Sequence, residues 1–273
     1  MNLDAALSLL SREPAAPLDA AELTLLLARD EYPDLDVEAY LSELAGMAHE
    51  AKNYMRGTLE ARVTGLCRFL FHEMGFRGNV QEYYDPRNSY LNQVIDRRRG
   101  IPISLSLVAM AIGRRAGLEV VGVGLPGHFV AKAVADGQEV LFDPFHGGRR
   151  LVPEQCEQLV QQMTHRSFRA TEASLRAVSL GALLIRMLNN LKTNYLREQD
   201  FGRVIRVIER LRQLDPFDPV QQRDLGIILV QSGQSGQAID HLKGYLAAAP
   251  GAEDVSTIRQ LLDRARGEVA KWN

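Results

Sequence analysis

The residues best suited to chemistry are a histidine and an aspartate that border short apolar runs. His128 follows Pro126-Gly127 and opens the run to Val134; Asp143 closes the run from Gln138 and precedes Pro144. An imidazole oriented by a carboxylate can act as a general base toward a nucleophile if all three groups lie within hydrogen-bond reach. A nucleophilic thiol gains further from a helix N-terminus, whose partial positive charge lowers its pKa. The segment Gly100 to Leu118, then His128, then Asp143, has the order such a site needs. His146 lies close by in a His-Gly-Gly turn, but His128, Asp143 and His146 have no recognised metal-ligand spacing, so neither a metal nor a cofactor is expected.

These groups need elements to hold them. Proline suits a helix's first turn, where its missing N–H would have had no partner, so Gly100-Ile101-Pro102 should open a helix. From Ile103 to Ile112 that helix is apolar on nearly every side, interrupted by Ser104 and Ser106, and Gly117 ends it after Arg114-Arg115. A strand is expected over 119–124, then a hairpin of 128–134 and 138–142 around Asp136-Gly137. The preceding segment, 75–88, is irregular and carries Tyr83 and Tyr84, and such aromatic loops often line sites. Leu91, Val94 and Ile95 mark a short helix closed by Arg97-Arg98-Arg99, whose charge suits a helix C-terminus or an anionic partner.

Residues 1–76 read as four helices, with Asp19 as an N-cap, the third over about 37–54 and the fourth stopping near Gly75. Cys67 sits beside the apolar stripe of the fourth and reads as a core filler. Residues 149–178 read as a polar connector with one helix near 154–163. Beyond Ser179 a repeat emerges: Pro216 and Pro250 are 34 residues apart. That register aligns Leu191 with Leu225, Tyr195 with Leu229, Val204 with Ala238, Ile208 with Leu242 and Leu211 with Tyr245. This is the tetratricopeptide period, and a helix near 255–269 would cap the array.

Composition narrows the function classes. The 273 residues carry a formal net charge of -2, so no global basic field attracts nucleic acid. Two cysteines without a CxxC pair argue against a disulfide framework or structural zinc and fit a reducing cytoplasm. No run approaches the ~18 apolar residues of a membrane span, and the N-terminus has no signal-peptide pattern. A cytoplasmic protein with no membrane or nucleic-acid partner is expected.

Four segments together resemble the transglutaminase-like core, and more closely the SirB-type family, which joins such a core to a tetratricopeptide tail. They are NSYLNQV at Asn88 to Val94, RRGIPISLSL at Arg98 to Leu107, LPGHF at Leu125 to Phe129 and DPFHGG at Asp143 to Gly148. The resemblance implies a papain-like α+β core with His128 as base and Asp143 as orienting acid. The active pattern reads Gly-x-Cys at the helix start; here it reads Gly100-Ile101-Pro102. Proline occupies the nucleophile position, and neither Cys67 nor Cys156 matches a motif position.

The expected architecture is α+β: a helical segment over 1–76, a small papain/transglutaminase-like core with a short antiparallel sheet over 77–178, and helical repeats over 179–273. The leading function is a core without catalysis that binds a protein or peptide, with Tyr84, Asn88, Asn92, Arg99, Pro102 and His146 as binding candidates. The alternative is a Ser-dependent hydrolase or acyl transferase using Ser104, His128 and Asp143. Stacked helix pairs suit a peptide or helix partner, or self-association.

Overall fold

A computed structural model of the chain describes residues 2–14 and 16–271. In chain order its helices and strands begin with α1 (Leu3–Arg12), α2 (Ala20–Ala28), α3 (Val37–Ala51) and α4 (Leu59–Cys67), which runs on into a π-helical turn over Arg68–Glu73. Then come β1 (Arg77–Gly78), α5 (Leu91–Arg97), β2 (Arg99–Gly100) and α6 (Pro102–Arg115). A meander follows: β3 (Glu119–Leu125), β4 (His128–Ala135), β5 (Gln138–Asp143) and β6 (Arg149–Leu151). The remainder is helical: α7 (Pro153–Thr164), α8 (Leu180–Arg197), α9 (Phe201–Leu214), α10 (Pro219–Gln231), α11 (Ser235–Ala248) and α12 (Val255–Ala270).

Contacts divide the chain within α8 into two compact units. One holds the residues up to Ala6 and Pro14–Met187, the other Leu7–Glu13 and the chain from Leu188. In the first, α6 is the axis: every residue except Met110, Arg114 and Arg115 is buried. It packs against α2, α3 and α5 and against β3 and β4. The link to β3 is short, so β3 runs back along α6 and the next turn returns to the end of the sheet where α6 begins. Val123, Leu125, Val130, Leu141 and Leu151 form a second core with Cys156, Leu159 and Val160 of α7.

Both hairpins have the turns their residues demand. Pro126-Gly127 links the paired residues Leu125 and His128, with Gly127 at φ +72, and Asp136-Gly137 links Ala135 to Gln138 with both φ positive. Asp19 caps α2 by accepting the N–H groups of Ala21 and Glu22. Three local expectations are corrected. The third helix stops at Ala51, short of Tyr54, and the fourth gives way to the π turn at Arg68. The supposed polar connector opens with a strand, β6, paired to β5 through Leu141–Leu151 and Asp143–Arg149.

In the second unit every residue aligned by the 34-residue register is buried, from Leu191 and Leu225 through Leu211 and Tyr245. Gly226 lets α10 and α11 approach closely: a Cβ there would lie 2.5 Å from Leu242 Cδ2. Where Gly226 has its repeat counterpart Lys192, the side chain instead reaches Asp224 at 2.9 Å and Gln221 at 3.2 Å. Among the described residues no helix is long and apolar enough to cross a membrane.

Candidate functional site

The site grows from the end of the sheet. Extending the β4–β5 register one pair beyond Ala131–Phe142 sets Asp143 opposite Val130, so His128 is its diagonal neighbour on the same face. Both side chains are buried, and His128 Nε2 lies 2.9 Å from Asp143 Oδ2. After Asp143 the chain enters a 3₁₀ turn, Pro144–His146, and Asp143 caps it: Oδ1 accepts the N–H groups of Phe145 at 3.0 Å and His146 at 3.3 Å. The turn swings His146 back so that Nδ1 lies 2.7 Å from Oδ2. Burial pushes the Asp143 carboxyl up, but hydrogen bonds and charge from His128 and His146 outweigh it and hold the group below its ordinary value.

Around this triangle the side chains are largely aromatic. Tyr84 meets Tyr83 edge-on at 5.4 Å between ring centres, Tyr83 meets Phe145 at 6.0 Å, and Phe145 meets His128 at 6.2 Å and His146 at 5.2 Å. The ladder runs from exposed Tyr84 inward to buried His128. Gly78 of β1 admits the Phe145 ring, since a Cβ there would fall 2.6 Å from it. Arg186 of α8 clamps the β3–β4 turn by donating Nη2 to the carbonyls of Leu125 and His128, and its guanidinium lies over the Phe129 ring. Tyr83 had a sequence signal in the tyrosine pair and Phe145 in the DPFHGG motif. Arg186, in a helix far along the chain, had none.

At the start of α6, Pro102 is the first helical residue and is buried. Ser104 sits two residues on, with its hydroxyl fully engaged: it donates to the Asn88 carbonyl at 2.6 Å and accepts the Ile101 N–H at 3.0 Å. This is half of a capping box, because the Ile101 side chain has no oxygen to reciprocate. Among the described residues the buried Ser106 hydroxyl and His128 Nδ1 have no hydrogen-bond partner, so neither bonds the other. Thus His128 and Asp143 come together, and Ser104 hydrogen-bonds elsewhere.

The binding candidates fall into two groups. Tyr84 and His146 face solvent, and Arg99 lines a shallow cavity of about 300 Å³ with Arg77, Asn79 and Val80. Asn88 and Asn92 are interior. Asn88 serves the framework: its amide donates to the carbonyls of Glu82 and Tyr83 and its Oδ1 accepts from Asn79 at 3.0 Å, which pins the tyrosine loop. The arginine run is split in the same way, with Arg97 paired to Asp85 and Arg98 to Glu43. Although sequence spacing marks no metal site, folding brings His128 Nε2, Asp143 Oδ2 and His146 Nδ1 within 4.8 Å of one another.

Comparison with known proteins adds the family context. A family model described as the transglutaminase-like superfamily matches residues 38–189, and a tetratricopeptide-repeat model matches 191–263. The chain is 36% identical over 244 residues to a UPF0162 protein of Xylella fastidiosa (strain Temecula1), covering 86% of this chain and 85% of that protein. To a UPF0162 protein of Vibrio cholerae it is 28% identical over 247 residues, covering 85% and 88%. It is also 32% identical over 164 residues to human F-box only protein 21, covering 57% of this chain and 25% of that protein.

Proposed function

From the premise that the chain belongs to the transglutaminase-like superfamily, in the SirB-type arrangement with tetratricopeptide repeats that it shares with the UPF0162 proteins, we propose that its core binds a protein or peptide without catalysing a reaction. The observation that carries this reading is Pro102 as the first residue of α6, where the active pattern has its thiol. A pyrrolidine ring has neither a nucleophilic atom nor an N–H to offer an oxyanion. What weighs against Ser104 as a substitute is its hydroxyl, bound on the donor side by Asn88 and on the acceptor side by Ile101. In this reading His128 and Asp143 keep the sheet end in shape, and the exposed end of the aromatic ladder, Tyr84 with His146, meets the partner. Aromatic rings give large contact area at little cost in side-chain entropy. The repeats, a module type that generally mediates protein–protein interaction, are a second contact surface.

Probing a peptide array with the full chain and with Tyr84→Ala tests the reading. A set of peptides retained by the wild type and lost by Tyr84→Ala supports it. Retention unchanged by the substitution, or no retained peptide at all, counts against the core as the binding surface.

A further inference from the structure

We propose that His128, Asp143 and His146 form a binding site for a divalent transition-metal ion of the zinc class. Two imidazoles and one carboxylate suit zinc, copper, iron or nickel, whereas magnesium and calcium prefer all-oxygen sets. Three protein ligands leave a fourth position open in a tetrahedral ion. At metal–ligand distances of about 2.0–2.2 Å, tetrahedral donor atoms stand roughly 3.4 Å apart. Asp143 Oδ2 is already 2.9 Å from His128 Nε2 and 2.7 Å from His146 Nδ1, and the three ligand atoms lie within 4.8 Å of one another. The two edges to the carboxylate therefore open by a fraction of an ångström while the edge between the imidazoles settles to the same length.

The surroundings are arranged as a metal site's are. Asp143 Oδ1 is held by two backbone N–H groups, which fixes the carboxylate plane and leaves Oδ2 to bind. His128 is anchored at a strand end, and its own carbonyl is clamped by Arg186. His146, whose side chain is 47% exposed, gives the ion a way in from solvent. The His128–Asp143 pair is complete without His146, and the 3₁₀ turn capped by Asp143 brings a second imidazole to the same oxygen atom, which sets three ligand atoms around one point.

A ring nitrogen that binds the ion carries no proton, so the proton of each neutral imidazole sits on its other nitrogen. For His146 that nitrogen can meet water. For His128 it is Nδ1, which has no partner among the described residues. A missing partner on a ligating histidine lowers affinity by about 10–100-fold, so the site should bind more weakly than one with a complete outer shell.

The test is titration of the tag-free full chain with Zn²⁺ by calorimetry and with Co²⁺ by visible absorption. One equivalent is expected to bind, with the intense ligand-field bands of four-coordinate cobalt, and His146→Ala should weaken binding roughly tenfold or more. His146→Gln carries the same readout if the alanine variant is poorly folded, and His49→Ala, remote in sequence, should leave binding unchanged. Wild-type protein that takes up no equivalent, or His146 variants that bind as the wild type does, would overturn the site.

Discussion

The Ser104 hydroxyl donates to the carbonyl of Asn88 across 16 residues of sequence, at 2.6 Å, in a fully buried setting. That bond ties the first turn of α6 to the loop that carries Tyr83 and Tyr84, because the Asn88 amide in turn holds the carbonyls of Glu82 and Tyr83. It engages the Ser104 hydroxyl in a tertiary hydrogen bond two residues beyond Pro102.

Ser104→Ala should therefore act on stability. It strands the Ile101 N–H and the Asn88 carbonyl in a buried setting, at a cost of about 1–3 kcal/mol. Urea denaturation followed by far-ultraviolet circular dichroism should show a lower midpoint. A variant as stable as the wild type would mean that the hydroxyl is free to do something else.

Asp143 should confer acid sensitivity. Its pKa in the folded state is held below the unfolded value of about 3.9, so its contribution is complete above that value and is lost as pH falls through the folded one. Asp143→Asn should lower stability at neutral pH by about 1.5–3 kcal/mol, the scale of hydrogen bonds to a charged group. The gap between variant and wild type should close below about pH 4. Denaturant titrations at a series of pH values measure it, and a gap that persists unchanged into acid contradicts the assignment.

Much of this arrangement could be read from residue types because the turns are locally encoded. Pro126-Gly127 and Asp136-Gly137 favour hairpins by their backbone preferences, and Pro102 favours a helix start. A histidine and an aspartate at the ends of adjacent strands then have to meet. The repeats were legible because one face of each helix must be apolar at a fixed period. What escaped was encoded only by tertiary contact. β6 is three residues, two of them arginines, and takes its conformation from pairing with β5. His146 reaches Asp143 because the 3₁₀ turn bends it back, a move that a three-residue spacing does not announce. Asn88 and Asn92 stand in a motif that suggested ligand contact; both are buried, and the bonds of Asn88 hold the tyrosine loop. Arg186 comes from a segment 58 residues beyond His128, with no local hint of its clamp.

The two thiols should be inert. Burial raises Cys67 to about 12, and burial with the nearby Asp143 charge raises Cys156 to about 11. At pH 8 the thiolate fraction of Cys67 would be roughly a thousandfold or more below that of an ordinary cysteine. Reaction with a disulfide reagent should be negligible in the folded protein and should reach two equivalents in denaturant. Rapid labelling of either thiol in the native state would contradict their placement in the core.

The central claim is that the triad-shaped site lacks a working nucleophile, and a serine-directed covalent probe tests it most directly. The full chain incubated with a fluorophosphonate and analysed by peptide mass spectrometry should show no adduct at Ser104 or Ser106. An adduct on Ser104 that disappears in His128→Ala would contradict the account, because it would mean that His128 activates a serine and that the core is an enzyme.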